Sequence, residues 1–415
     1  MINSLNKFFL EEKNQKLIIL FCVYFPSLLV NHITKTTEIM PYGFILFIFL
    51  KNAQRFKIFF LYFIIFFYCL LIKDFYINNF HRSFFSILNS VIIAYYFINE
   101  QDLHVLKKIS FISLCIVYFI IFTQIFKLDF FLQELIPRYK LEQVQIQILY
   151  PEPSRASTAL FFITLINYVF RKEFWLLFFS FFLEFLFIKS FTGVFLWFFL
   201  FFFLFLKKLY LITNNTKIFL LLIILLSILI IKLNFSLSDF FFIENFFQIS
   251  TKLKLLLESI INLDLDTVKR SFIIFSGTRL QNVYFIYNEL INTPSGFGFG
   301  NEKNTLMYSF IKFFPTISNF LDPIFINDYI NQNIRLNSII FNFIHGLGFF
   351  SIFLFLIYFR EINYRIYFKD KKNNYLFLIL FFLCLFLMLV LDLGDYFHII
   401  LLALILNKKI KFKQF

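Results

Sequence analysis

From Ser190 to Leu206 the chain reads SFTGVFLWFFLFFFLFL, without a charged residue in the run. Ile109 to Phe126 is a second uncharged run. A helix needs about 20 mostly apolar residues to cross the hydrocarbon of a bilayer, within a range of about 17–25. Apolar blocks of this kind recur along the whole chain. Only 15% of its residues are charged and 60% are hydrophobic, whereas a soluble domain carries about 25% charged residues. A globule in water could not cover such surface. The expected fold is therefore all-α: one polytopic transmembrane helical bundle over residues 1–415.

Candidate spans lie near 16–33, 37–51, 56–72, 83–98, 108–126, 157–170, 173–188, 190–206, 217–235, 338–358, 375–391 and 394–407, about 12 in all. The first lacks a small-residue cleavage site and reads as a retained signal anchor. The formal charge of +14 is placed by the spans. Lysine and arginine collect in alternate loops: Lys51, Arg55 and Lys57; Lys107 and Lys108; Arg171 and Lys172; Lys207, Lys208 and Lys217; Arg360 to Lys372; and Lys408 to Lys413. The intervening short loops hold little beyond Lys35, Lys73, Arg82 and Lys189. By the positive-inside bias both termini are expected in the cytoplasm. The basic excess then faces anionic membrane lipid, and no nucleic-acid partner is expected.

The four cysteines fall inside apolar runs without metal-ligand spacing. The five histidines are scattered, so no metal site and no cofactor are expected. No phosphate-binding glycine loop of the ATPase type occurs, which argues against ATP hydrolysis.

Two outer loops are long. The third covers 127–156 and the fifth 236–337, and loops of such length without a role are uncommon. The third ends in Tyr150-Pro151-Glu152-Pro153-Ser154-Arg155-Ala156-Ser157, a polar island directly before an apolar span. Arginine presents a planar fork that grips phosphate oxygens in pairs, and a helix N-terminus favours anions. Arg155 is thus a candidate anion grip, with Ser154 beside it. The bland alternative is a helix cap made by Ser154 or Ser157, with Arg155 reaching to headgroups. Glu152 is a candidate general base, or a partner of Arg155. The fifth loop carries Arg279 in Gly277-Thr278-Arg279-Leu280 and ends in Pro294-Ser295-Gly296-Phe297-Gly298-Phe299-Gly300-Asn301. Glycines there let backbone approach a ligand, or simply form a tight turn. Arg270 and Arg335 are weaker candidates of the arginine kind. Glu184 stands near the outer end of a span, a place where a carboxylate is a functional candidate unless it reaches water. His345 lies within the span 338–358, where a core role is expected.

These motifs together resemble the O-antigen polymerase and ligase superfamily. Pro151 to Arg155 resembles its E-P-S segment, and Ser190-Phe191-Thr192-Gly193 its S-x-T-G element. Gly277 to Leu280 with Pro294 to Asn301 resembles its G-x-R-L … P-x-G-x-G-x-G/N pattern. Leu336-Asn337-Ser338 followed by Gly346-Leu347-Gly348 resembles its H-N-S … G-x-x-G entry to the next span. The resemblance covers residues 150–350. It implies a metal-independent glycosyltransferase of the bacterial inner membrane that polymerises polyprenyl-diphosphate-linked oligosaccharides at the periplasmic face. It implies Arg155 and Arg279 as diphosphate grips, with Glu152 orienting Arg155 or the acceptor hydroxyl. Ser154, Arg270, Gly296, Gly298, Gly300, Asn301 and Arg335 would surround the substrate, with a flippase and a chain-length regulator as partners. The ligase branch, which transfers polymer to a lipid A core, carries His where this chain has Leu336, so the polymerase branch is favoured. A flippase or transporter would instead show charges lining a cavity between spans, internal repeats and short outer loops.

Overall fold

The computed structural model describes residues 11–33, 40–72, 77–100, 102–136, 146–150, 153–171, 173–190, most of 193–205, 293–299, a few positions of 305–311, most of 339–360, and 396–407. Among these every regular element is a helix and none is a strand. The chain packs as two compact units, Met1–Ser113 with Leu255–Phe415, and Leu114–Lys254.

In the first unit the described elements are α1 (Glu12–Tyr24), α2 (Val30–Ile33), α3 (Gly43–Leu46, continued by a 3-10 turn to Phe49), α4 (Asn52–Leu70), α5 (Ile77–Asn99), the start of α6 (Leu103–Ile125), α10 (Ile339–Leu347) and α11 (Phe397–Leu406). The expected first span is not one helix. Phe25 precedes Pro26 and has left the helical region (φ −123°, ψ 70°), as a residue before proline tends to do. The chain then turns and resumes at Val30.

Helix α11 lies along α5. Asn407 closes their common end, donating from Nδ2 to the carbonyls of Phe97 (2.9 Å) and Glu100 (3.1 Å). Buried Tyr24 holds α1 in place, with its hydroxyl 2.8 Å from Ser110 Oγ. Its ring meets Phe97 and Phe397 edge-on. A buried phenol needs such a polar partner, because an unmet donor in apolar surroundings costs about 1–3 kcal/mol.

Helix α4 behaves differently. It buries Ile58, Ile65 and Cys69, which recur at helical spacing on one side. Phe56, Phe59, Phe60, Phe63 and Phe67 are all at least half exposed. Helices α4 and α6 are the two, among the described residues, long and apolar enough to cross a bilayer. The expected spans 217–235 and 375–391 lie outside the described residues.

The second unit contains the rest of α6, α7 (Leu132–Leu135), α8 (Pro153–Arg171), α9 (Phe174–Leu183, continued as a π-turn over Glu184–Ile188) and helical residues from Gly193 onward. Helix α8 opens on Pro153, at the first helical position, where a missing N–H is harmless and the proline φ is already helical. It closes on Arg171, a cation at the negative end of the dipole. Its body packs on α9 through Phe161, Trp197 and Phe181. A polar ladder runs between the helices. Tyr118 OH lies 2.7 Å from Ser180 Oγ, which lies 2.8 Å from Thr164 Oγ1, and Thr164 donates to the Leu160 carbonyl at 2.7 Å. Since the Thr164 proton is used on its own helix, Ser180 donates to Thr164 and Tyr118 donates to Ser180. Ser180→Ala should therefore remove the acceptor of the Tyr118 hydroxyl and lower stability by about 1 kcal/mol. Thermal unfolding of the detergent-solubilised protein measures this, and an unchanged midpoint would show that the ladder contributes nothing.

Candidate functional site

Two of the sequence motifs meet inside the second unit. The approach to the first is tethered from α6. The Gln124 amide oxygen accepts the backbone N–H groups of Gln147 (3.1 Å) and Ile148 (3.3 Å), and Tyr150 just beyond is buried. Pro153 then starts α8, so Ser154 and Ser157 stand within the helix and neither is its cap. Arg155 is half-buried in the first turn. Ser157 is fully buried and turns toward Gly193 of the second motif.

Gly193 leaves the space into which Ser157 fits. A Cβ built on Gly193 would sit 1.6 Å from Ser157 Oγ and 2.6 Å from the Glu184 carboxyl. Any side chain there must displace both groups. The two motifs are thus adjoining surfaces of one junction, and Glu184 is the third member.

From sequence, Glu184 is a functional candidate unless it reaches water from the end of its span. It is instead 0% exposed. Helix α9 widens into the π-turn at this residue, and such one-turn bulges re-aim side chains that a regular helix would carry past. The π-turn ends at Lys189, which takes the left-handed conformation (φ 54°) and returns its N–H to the Glu184 carbonyl at 2.8 Å. That reversal brings the Ser190 N–H to Glu184 Oε1 at 3.2 Å. Among the described residues the other oxygen, Oε2, makes no hydrogen bond, and the Ser157 hydroxyl lies beside the carboxyl. A carboxyl group thus sits beneath the second turn of α8, two residues past Arg155.

A second pair of motifs meets in the first unit. The segment Thr293 to Phe299 lies along the C-terminal end of α10 as a backbone clasp. Phe297 N donates to His345 O (2.9 Å), Gly298 N to Gly346 O (3.0 Å), and Phe349 N to Pro294 O (2.9 Å). Tyr68 of α4 donates its hydroxyl to Ser295 O at 2.8 Å and stacks on Phe350. Gly296 (φ 78°) and Gly348 (φ 54°) face each other, and a Cβ on Gly296 would stand 2.4 Å from Gly348 N. Phe299 is buried against Phe84 and Phe343. Two of the glycines assigned from sequence to the substrate, Gly296 and Gly298, are therefore engaged with protein backbone in this structure. His345 is buried, with Nε2 2.6 Å from Thr305 Oγ1 and its ring against Phe297. Its partner Thr305 carried no sequence pattern that would have singled it out.

Of the other sequence candidates, Glu152, Arg270, Arg279, Gly300, Asn301 and Arg335 lie outside the described residues. Among the described residues no group of three or more His, Cys, Asp or Glu side chains could hold a metal. No protein-family model, curated protein or solved structure matches the chain.

The junctions predict the effect of added methyl groups. Gly193→Ala should destabilise the second unit by about 1–3 kcal/mol, as overpacking does. Adding Ser157→Ala should restore part of that loss, since it removes the closest clashing atom. Unfolding midpoints of the two single variants and the double variant test this; additive losses would exclude the contact. Gly348→Ala should open the clasp, because its Cβ would meet Pro294 O at 2.2 Å. Limited proteolysis should then cut within 293–299 faster than in the parent.

Proposed function

We propose that the chain is a multi-pass protein of the bacterial inner membrane, with about 12 spans and both termini in the cytoplasm. Its activity would be the polymerisation of polyprenyl-diphosphate-linked oligosaccharide repeat units at the periplasmic face. The observation that carries this reading is the meeting of the Pro153-Ser154-Arg155-Ala156-Ser157 turn with the Ser190 to Gly193 element around Glu184. Two stretches that resemble polymerase motifs, distant in sequence, fit one another through a specific steric contact. The pairing of the Pro294 to Phe299 turn with Gly346-Leu347-Gly348 is a second such fit. The exposed phenylalanine row of α4 supports the membrane assignment, since rows of exposed aromatic side chains suit hydrocarbon and not water.

In this reading a hydroxyl of one carrier-linked repeat unit attacks the anomeric carbon of the growing glycan on a second carrier. The new glycosidic C–O bond forms as the C–O bond to the diphosphate breaks. The bonding pair leaves with the lipid diphosphate, and the hydroxyl proton passes to a carboxylate, with Glu152 as the candidate. Negative charge grows on the leaving diphosphate. Arg155 and Arg279 offset it with charge-assisted hydrogen bonds, which requires no metal. Ser154, Arg270, Gly300, Asn301 and Arg335 remain candidates for holding the sugars, along with Gly296 and Gly298 if the clasp opens to substrate.

In cells making the polymer, Arg155→Ala and Arg279→Ala should leave the protein level in the membrane fraction unchanged. Each should replace long chains by single repeat units attached to the acceptor. Polysaccharide ladders on gels read this directly. Full-length ladders from both variants would overturn the assignment, and loss of even the single unit would point to the ligase instead. Release of the parent protein from membranes by alkaline carbonate would overturn the multi-pass reading.

A further inference from the structure

We propose that Glu184 is the positioning residue for Arg155, acting through Ser157. This rests on the reading of Arg155 as a diphosphate grip.

Successive residues of a helix are turned by about 100°, so Arg155 and Ser157 are separated by about 200° around α8. Arg155 is half-buried one turn before the buried Ala159, on the same face of α8, so its direction is set by the rotation of the packed helix. Whatever fixes the rotation of the helix at Ser157 therefore fixes the direction in which Arg155 leaves it. Gly193 limits Ser157 on one side, because Ser157 Oγ occupies the place of a Gly193 Cβ. Glu184 limits it on another. The Ser190 N–H holds the carboxyl at Oε1, while the Lys189 N–H closes the π-turn on the Glu184 main-chain carbonyl. It neither reaches solvent nor forms an ion pair among the described residues. A regular α-helix continued from α9 would aim this side chain elsewhere. The π-turn thus places a rigid polar wedge under α8. Without the wedge, Ser157 gains room and the first turn of α8 can rotate, which swings Arg155.

Shape and the acceptor at Oε1 are what this role requires. Gln keeps both, whereas Ala removes both. The test uses the full-length protein in lipid nanodiscs, titrated with geranylgeranyl diphosphate. Parent, Arg155→Ala, Glu184→Ala, Glu184→Gln and Arg155→Ala/Glu184→Ala are compared. The parent should bind, and Arg155→Ala should weaken binding by about tenfold or more. Glu184→Ala should weaken it by a similar factor, and the double variant should be no weaker than Arg155→Ala alone, since residues coupled through one backbone shift are not additive. Glu184→Gln should bind within about threefold of the parent, a change no larger than ordinary non-additivity. If Glu184→Ala does not fold, Ser157→Gly replaces it and should give the same non-additive loss. Parent-like affinity of Glu184→Ala or Ser157→Gly, losses that multiply with Arg155→Ala, or failure of Glu184→Gln to rescue would each overturn the positioning role while leaving the diphosphate reading of Arg155 intact. A parent protein that does not bind the diphosphate would instead overturn that reading and, with it, this one.

Discussion

Burying a carboxyl group completely is costly, and the structure around Glu184 is organised to permit it. An unpaired charge in an apolar interior is strongly disfavoured. Glu184 is fitted with one backbone donor, a serine at its side and a glycine that clears the space. Each of these needs another irregularity. The Ser190 N–H arrives only because Lys189 reverses the chain in a left-handed conformation. The carboxyl points there only because the helix opens into a π-turn. Two departures from regular helix, the π-turn and the left-handed Lys189, thus converge on one side chain, beside the helix whose first turn carries Arg155.

Three hydroxyls of the second unit are handled differently. Tyr118, Ser180 and Thr164 close on one another and end on a carbonyl of the same helix. In an apolar interior such bonds bind helices together more specifically than hydrophobic contact alone, because lipid competes for apolar surface but not for a hydroxyl. Glu184 stands apart from that closed chain. Its open oxygen is the difference between a structural ladder and a candidate working group.

The first unit shows the opposite use of glycine. The glycines at 296 and 348 exist to let two backbones touch, and the segment is held by main-chain hydrogen bonds and by Tyr68. A clasp made of backbone is indifferent to most side chains outside its contact points. Its aromatic residues then serve as anchors: Phe299 inward onto Phe84 and Phe343, and Phe297 onto His345.

Much of this architecture was legible in the sequence. Long uncharged blocks demand helices, since only helices satisfy every backbone group within one apolar segment, and the described elements are all helical. Pro151 and Pro153 marked the neighbourhood in which α8 begins, whereas the break after α1 at Pro26 was not read from the sequence, where one span covered 16–33. The motif Pro151 to Ser157 could be marked as unusual by its polarity, and Ser190 to Gly193 only by resemblance. Their contact could not be read from the sequence, since nothing in a linear pattern says that Gly193 must clear space for Ser157. The burial of Glu184 was likewise hidden: it depends on a π-turn, and hydropathy does not distinguish a regular turn from a widened one. Composition and proline therefore determined that this chain is helical and the neighbourhood in which α8 begins, through interactions within a few residues. The tertiary structure alone decided which polar groups meet, because those contacts join residues far apart in sequence and exist only once the helices have packed.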